Sequence, residues 1–129
     1  MSSRYDISRC CVATCNLNNW AMDFDGNCSR IVQSIRIAKA QGAKYRVGPE
    51  LEISGYSCED HFLETDTFLH SDQSLAAILK TDLTDNILCD IGCPVLHNNV
   101  RCPIYVRTKR LASNNNPHFL PLSFFTLQI

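Results

Sequence analysis

The chain has 129 residues, 45% of them hydrophobic and 19% charged, which suits one soluble domain and is too short for two separate cores. Twelve Lys and Arg stand against 13 Asp and Glu, a formal charge of -1, so no surplus of positive charge exists to neutralise a phosphate backbone or an anionic membrane. Neither nucleic acid nor a membrane is therefore expected as a partner. The most apolar stretch, residues 118–129, is broken by Pro121 and falls well short of the ~20 residues that a spanning helix needs. The first residues carry neither the apolar region nor the cleavage site of a secretory signal, and a cytoplasmic location is expected.

In chain order, Cys10 to Cys15 is short, apolar or β-branched, and runs into the turn-prone Asn16-Leu17-Asn18-Asn19, which predicts a buried strand. Asp25 is placed to cap a helix whose apolar residues Ile31, Val32, Ile35 and Ala38 recur at helical spacing, with Gly42 as its stop. Lys44 to Val47 reads as a second strand, ended by Gly48-Pro49-Glu50 because Pro offers no amide hydrogen to a ladder. Glu50 thus falls at a strand's carboxyl end. Two amphipathic stretches follow, Glu59 to Leu63 and Asp72 to Lys80, with Leu75, Ile78 and Leu79 expected to face inward. Ile87 to Leu96 reads as a further strand with a bulge or an end at Pro94. The β-α-β-α-β order predicts a layered α/β domain with binding groups at the carboxyl ends of strands. After Val100 the pattern weakens: Arg107-Thr108-Lys109-Arg110 is basic, Ser113 to Pro117 reads as a loop, and Phe119 to Ile129, with Phe124-Phe125, is apolar without a period.

Eight cysteines approach the density of a disulfide scaffold, but without a secretory signal they read mainly as small buried hydrophobes. A metal reading of Cys11 with Cys15, Cys89 with Cys93, and His97 with Cys102 meets a geometric objection. Four residues of strand separate two thiols by about 13 Å, whereas two sulfurs on one zinc lie within about 4.6 Å. No metal and no bound cofactor are expected in this chain, and Gly48, Gly55 and Gly92 form no phosphate-cradling pattern.

Among carboxylates Glu50 is the candidate for chemistry. Fixed behind Pro49 at a strand end, it can be partly desolvated and so raised towards the range of a general base, although most such residues are solvated loop carboxylates. Glu52 either assists it or points the other way. Cys58 with His61 is a conceivable nucleophile pair, and His70 also lies near acids, but a His among charged residues on a helix surface is usually only solvated.

The stretch from about Cys11 to Arg101 resembles the N-terminal part of the eukaryotic glutamine-dependent NAD synthetases, a branch of the nitrilase (carbon-nitrogen hydrolase) superfamily. The residues that carry the resemblance are Val12-Ala13-Thr14-Cys15-Asn16-Leu17-Asn18-Asn19-Trp20-Ala21-Met22-Asp23-Phe24, Gly26-Asn27 and Ile35 to Ala40. The core of it is Gly42 to Phe62, including Arg46-Val47-Gly48-Pro49-Glu50-Leu51-Glu52-Ile53-Ser54-Gly55-Tyr56. Glu64 to Thr67, Leu69-His70-Ser71, Cys89 to Val95 and His97 to Arg101 agree as well, while Glu59 stands where the family usually has an aromatic residue.

The resemblance implies an incomplete nitrilase-type α-β-β-α sandwich, with residues 8–105 a partial carbon-nitrogen hydrolase (glutaminase) domain and 106–129 a divergent tail. It also implies glutamine as the substrate of the intact domain, whose ammonia serves the ATP-dependent amidation of nicotinic acid adenine dinucleotide to NAD. Nitrilase-type chemistry uses a Cys nucleophile, a Glu base and a Lys that supports the tetrahedral intermediate. Glu50 maps onto the general base. None of the eight Cys falls at the nucleophile's motif, and Lys109 only faintly echoes the Lys segment. The resemblance therefore implies a fragment lacking the nucleophile and the C-terminal synthetase domain with its ATP and Mg, inactive alone, and a homo-oligomer when full length. The alternative is a non-catalytic interaction or thiol-rich metal-binding protein.

Overall fold

The computed structural model describes residues 11–97 and 100–109. The order is β1 (Val12–Thr14), α1 (Phe24–Ala40), β2 (Tyr45–Val47), a 3₁₀ turn Glu59–Leu63, α2 (Thr65–Leu79), a second 3₁₀ turn Asp82–Thr84, β3 (Leu88–His97) and β4 (Val100–Lys109). β1, β2 and β3 pair in parallel, Val12 with Tyr45 and Tyr45 with Leu88, and β4 adds antiparallel to β3, giving the sheet order β1-β2-β3-β4. Parallel neighbours need crossover connections, and α1 and α2 supply them. The architecture is the expected α/β layer, a partial domain with one three-stranded parallel sheet and an antiparallel edge strand.

The core lies between the helices and one face of β3. Ile31, Ile35 and Ala38 of α1 and Ile78 of α2 pack with Cys89, Ile91 and Cys93, alternate residues of β3 that share one face of the pleat. The cap of α1 lies two residues earlier than expected. Asp23, not Asp25, is the N-cap, its carboxylate accepting from Gly26 N at 3.1 Å, while Asp25 sits in the first turn, where the helix dipole favours an acid. After the C-cap Gln41, Gly42 takes the left-handed φ of 77° that lets the chain leave the helix.

α2 is longer than the periodicity predicts, because its first half buries Thr67, Phe68 and Ser71 rather than an apolar stripe. These hydroxyls are satisfied locally, Ser71 Oγ donating to Thr67 O at 2.7 Å and Thr67 Oγ1 to His61 O at 2.6 Å. Ile78 is buried and Leu75 packs against the core as expected, but Leu79, at the last position of α2, is exposed.

β3 neither bulges nor ends at Pro94. Pro94 pairs with Pro103, beyond the last β2 partner at Asp90, so the two missing amides fall on one rung of the β3–β4 ladder. β4 occupies part of the region where the sequence pattern weakens. Cys10 and residues 110–129, with Phe124-Phe125, lie outside the described residues. Among the described residues no helix is long and apolar enough to cross a membrane.

Candidate active site

The carboxyl ends of the parallel strands hold the Glu50 turn. Cys15 N donates to Val47 O at 2.9 Å and Gly48 N to Asp90 O at 3.1 Å, so the ladder continues one step past β2 before the chain turns away. Ile53 N then donates to Gly92 O at 3.2 Å and Gly55 N to Leu51 O at 2.8 Å, closing the turn back on β3. Its backbone lies directly on Gly92. A Cβ there would sit 2.0 Å from Glu50 O and 2.2 Å from Pro49 O, so no larger residue fits beneath the turn without moving it. Glu50 itself is exposed.

The desolvation that strand-end placement suggests for Glu50 falls instead on Glu52. Glu52 and Arg46 are both 0% exposed and paired in a two-pronged ion pair, Nη1 to Oε1 and Nη2 to Oε2, each at 2.7 Å. Arg46 Nη1 also donates to Asp90 O at 3.2 Å, and Nε and Nη2 donate to Ser34 Oγ at 3.1 and 2.7 Å. Glu52 Oε1 further accepts from Gly92 N at 3.3 Å. Burial pushes the Glu52 carboxyl up from its ordinary value, opposed by the hydrogen bonds and charge of Arg46. Glu52 is thus buried where Glu50, two residues earlier, is exposed.

A neighbouring loop braces the turn from the β1 side. Asn19 Nδ2 donates to Glu52 O at 2.8 Å and Met22 N to Ser54 O at 2.8 Å. Buried Asn27 of α1 joins the two loops, Nδ2 donating to Trp20 O at 2.8 Å and to Ile53 O at 3.0 Å, while its Oδ1 accepts from Trp20 N. Gly55 has a φ of 78°, and a Cβ on it would lie 2.4 Å from Trp20 O. Sequence reasoning did not single out Arg46, Asn19 or Asn27. Arg46 was detectable: an Arg at the centre of a short buried strand demands a partner, and Glu52 is the acid next but one after Glu50.

Other candidates are not brought together. The buried Cys58 thiol donates to Ser54 O and Gly55 O, each at 3.3 Å, whereas exposed His61 pairs through Nδ1 with Glu64 at 3.0 Å. That hydrogen bond, and the Glu64 charge, raise the His61 pKa. His70 packs its ring against Phe24, with centroids 5.5 Å apart. Among the described residues no group of three or more His, Cys, Asp or Glu is placed to hold a metal ion.

Cys93 faces the core, and burial, with the charges of Asp72 and Glu52, pushes its thiol up to about 12. Burial thus both keeps the thiol protonated and shields it from reagents in solution. In the folded protein at pH 8 iodoacetamide is expected to modify exposed Cys11 and to reach Cys93 only after unfolding. Mass spectrometry showing equal modification of the two without denaturant would contradict that placement.

Residues 11–114 match the family described as carbon-nitrogen hydrolase. The chain belongs to the carbon-nitrogen hydrolase family. Within this family it is 69% identical over 91 residues to a glutamine-dependent NAD(+) synthetase of Dictyostelium discoideum, a match covering 70% of this chain and 13% of the relative. It is 49% identical over 124 residues to the Homo sapiens synthetase, covering 89% of this chain and 18% of that one. The carbon-nitrogen hydrolase chain thus spans less than a fifth of the length of these relatives and corresponds to their N-terminal part.

Two solved structures show the same fold. A glutamine-dependent NAD(+) synthetase from Cytophaga hutchinsonii superposes with a TM-score of 0.71 at 22% identity, over 76% of this chain and 17% of that one. An amidase from Nesterenkonia sp. superposes with a TM-score of 0.61 at 18% identity, over 76% of this chain and 37% of the amidase. The fold is therefore an incomplete nitrilase-type sandwich, as the sequence resemblance implies.

Proposed function

We propose that this chain is the N-terminal part of the glutaminase domain of a glutamine-dependent NAD synthetase, with Glu50 as its general base. The observation that carries the reading is the 69% identity to the Dictyostelium synthetase, combined with a Pro-Glu turn seated at the carboxyl end of a parallel strand. In the longer protein Glu50 takes the proton of a cysteine thiol supplied by residues beyond this chain. The sulfur attacks the glutamine amide carbon, Glu50 passes its proton to the leaving nitrogen, and ammonia departs to leave a thioester. Glu50, again ionised, takes a proton from water, which attacks the thioester; the carbon-sulfur bond breaks, the proton returns to the sulfur and glutamate is released, so that glutamine and water become glutamate and ammonia. A solved form of the Nesterenkonia amidase carries the acetamide moiety of fluoroacetamide at its active-site cysteine, which supports cysteine chemistry for the fold.

The ammonia is consumed by ATP-dependent amidation of nicotinic acid adenine dinucleotide to NAD in a synthetase domain outside these residues. ATP and Mg belong to that domain. The longer protein is cytoplasmic and homo-oligomeric in this reading. The test compares two proteins given glutamine, ATP, Mg and the deamidated dinucleotide. The full-length protein carrying this segment is expected to form glutamate and NAD together, and the 129-residue polypeptide alone to form neither. Glutamate release by the polypeptide, or glutamine-independent NAD formation alone by the full-length protein, would overturn the reading.

A further inference from the structure

Glu50 is exposed, and its position is set through the backbone that carries it. That backbone rests on Gly92 and is anchored two residues later by Glu52, whose Oε1 accepts both Arg46 Nη1 and Gly92 N. A guanidinium has five N–H donors, and Arg46 makes five hydrogen bonds: two to Glu52, two to Ser34 Oγ and one to Asp90 O. The network joins α1, β2, the Glu50 turn and β3, and Gly48 leaves no room between the turn and Glu52, a Cβ there lying 2.1 Å from Oε1. Apolar residues of the same volume could fill this space at little net cost in stability, yet they could not accept the Gly92 amide. A fully satisfied buried network of this kind fixes one geometry.

We infer that Arg46 and Glu52 are positioning residues, whose buried pair fixes the height and orientation of the Glu50 turn for glutamine hydrolysis. The inference rests on the reading of Glu50 as the base. Neither side chain touches substrate in this account. Their effect is on where Glu50 stands, and misplacement of a reacting group by about 1 Å can cost roughly 100-fold in rate.

The test uses the full-length protein, with glutamate release for the glutaminase, ammonia-driven NAD formation as the control, and thermal unfolding for the fold. The double variant Arg46→Met/Glu52→Leu is expected to recover most of the unfolding temperature that Arg46→Met alone loses and to keep its ammonia-driven rate, while its glutamine kcat falls roughly 100-fold at a little-changed KM. Glu52→Gln, close in shape, is the second variant. It is expected to lose roughly 10-fold in glutamine kcat and to shift the acid limb of the glutamine pH profile, because the base is held differently. A purely structural pair predicts otherwise: once folded, both variants would turn over glutamine at the wild-type rate with an unmoved pH profile, and that result overturns the inference. Glu50→Gln separates the two claims. If it leaves glutamine turnover intact, the reading of Glu50 fails and the inference falls with it; if it abolishes turnover while the pair variants do not, only the positioning role fails.

Discussion

Glu50→Gln in the full-length protein is expected to lower glutamine hydrolysis by roughly 10²–10⁴-fold while NAD formation from added ammonia continues at the wild-type rate. Glutamine is close in size to glutamate, and the side chain is exposed, so the substitution removes no buried hydrogen bond and leaves the turn on Gly92 undisturbed. What it removes is the capacity to accept a proton. An amide takes none from a thiol near neutral pH, so neither thiolate formation nor activation of water has a base. Steady-state glutamate release measures the loss. A variant within a few fold of wild type would show that Glu50 is the solvated loop carboxylate that its exposure alone also permits.

Arg46→Met by itself is expected to cost the fold about 3–5 kcal/mol, because it leaves Glu52 as a buried carboxylate without its partner. Burial already raises the Glu52 pKa against the pull of Arg46, so removing the guanidinium drives the carboxyl further towards its neutral form and takes from Ser34 Oγ the donors it accepts. Adding Glu52→Leu is expected to return most of that loss, since two apolar side chains in contact carry no desolvation penalty. The comparison of unfolding midpoints for single and double variants checks both statements. Equal destabilisation of the two would mean that the loss comes from packing volume and not from an unpaired charge.

Much of this fold was legible because its signals are local. The Gly48-Pro49 break follows directly on the last residue of β2, Gly42 marks the exit from α1, and Ile31, Ile35 and Ala38 announce the buried face of that helix. Where burial is polar the same method fails. The first half of α2 escaped because Thr67 and Ser71 satisfy their hydroxyls within the turn of the chain and leave no apolar stripe to detect. Pro94 misled because its cost depends on a partner in β4, which no local pattern reveals. At the site, Glu50 stands out by its place behind Pro49, whereas the residues that hold its turn do not. Asn19, Asn27 and Arg46 lie on three different segments, and only the fold shows that all three converge on Glu52 and Ile53. The charge of Arg46 was the one sequence clue, since a buried strand cannot carry an unpaired guanidinium.

The account stands or falls on whether the segment carrying Glu50 extracts nitrogen from glutamine for NAD. Full-length protein, wild type and Glu50→Gln, is given ATP, Mg, nicotinic acid adenine dinucleotide and glutamine labelled with heavy nitrogen at its amide, and the NAD formed is weighed by mass spectrometry. Heavy NAD is expected from the wild type, roughly 100-fold less or lower still from Glu50→Gln, and heavy NAD again from the variant when labelled ammonium replaces glutamine. Heavy NAD from Glu50→Gln with labelled glutamine at the wild-type rate would contradict it.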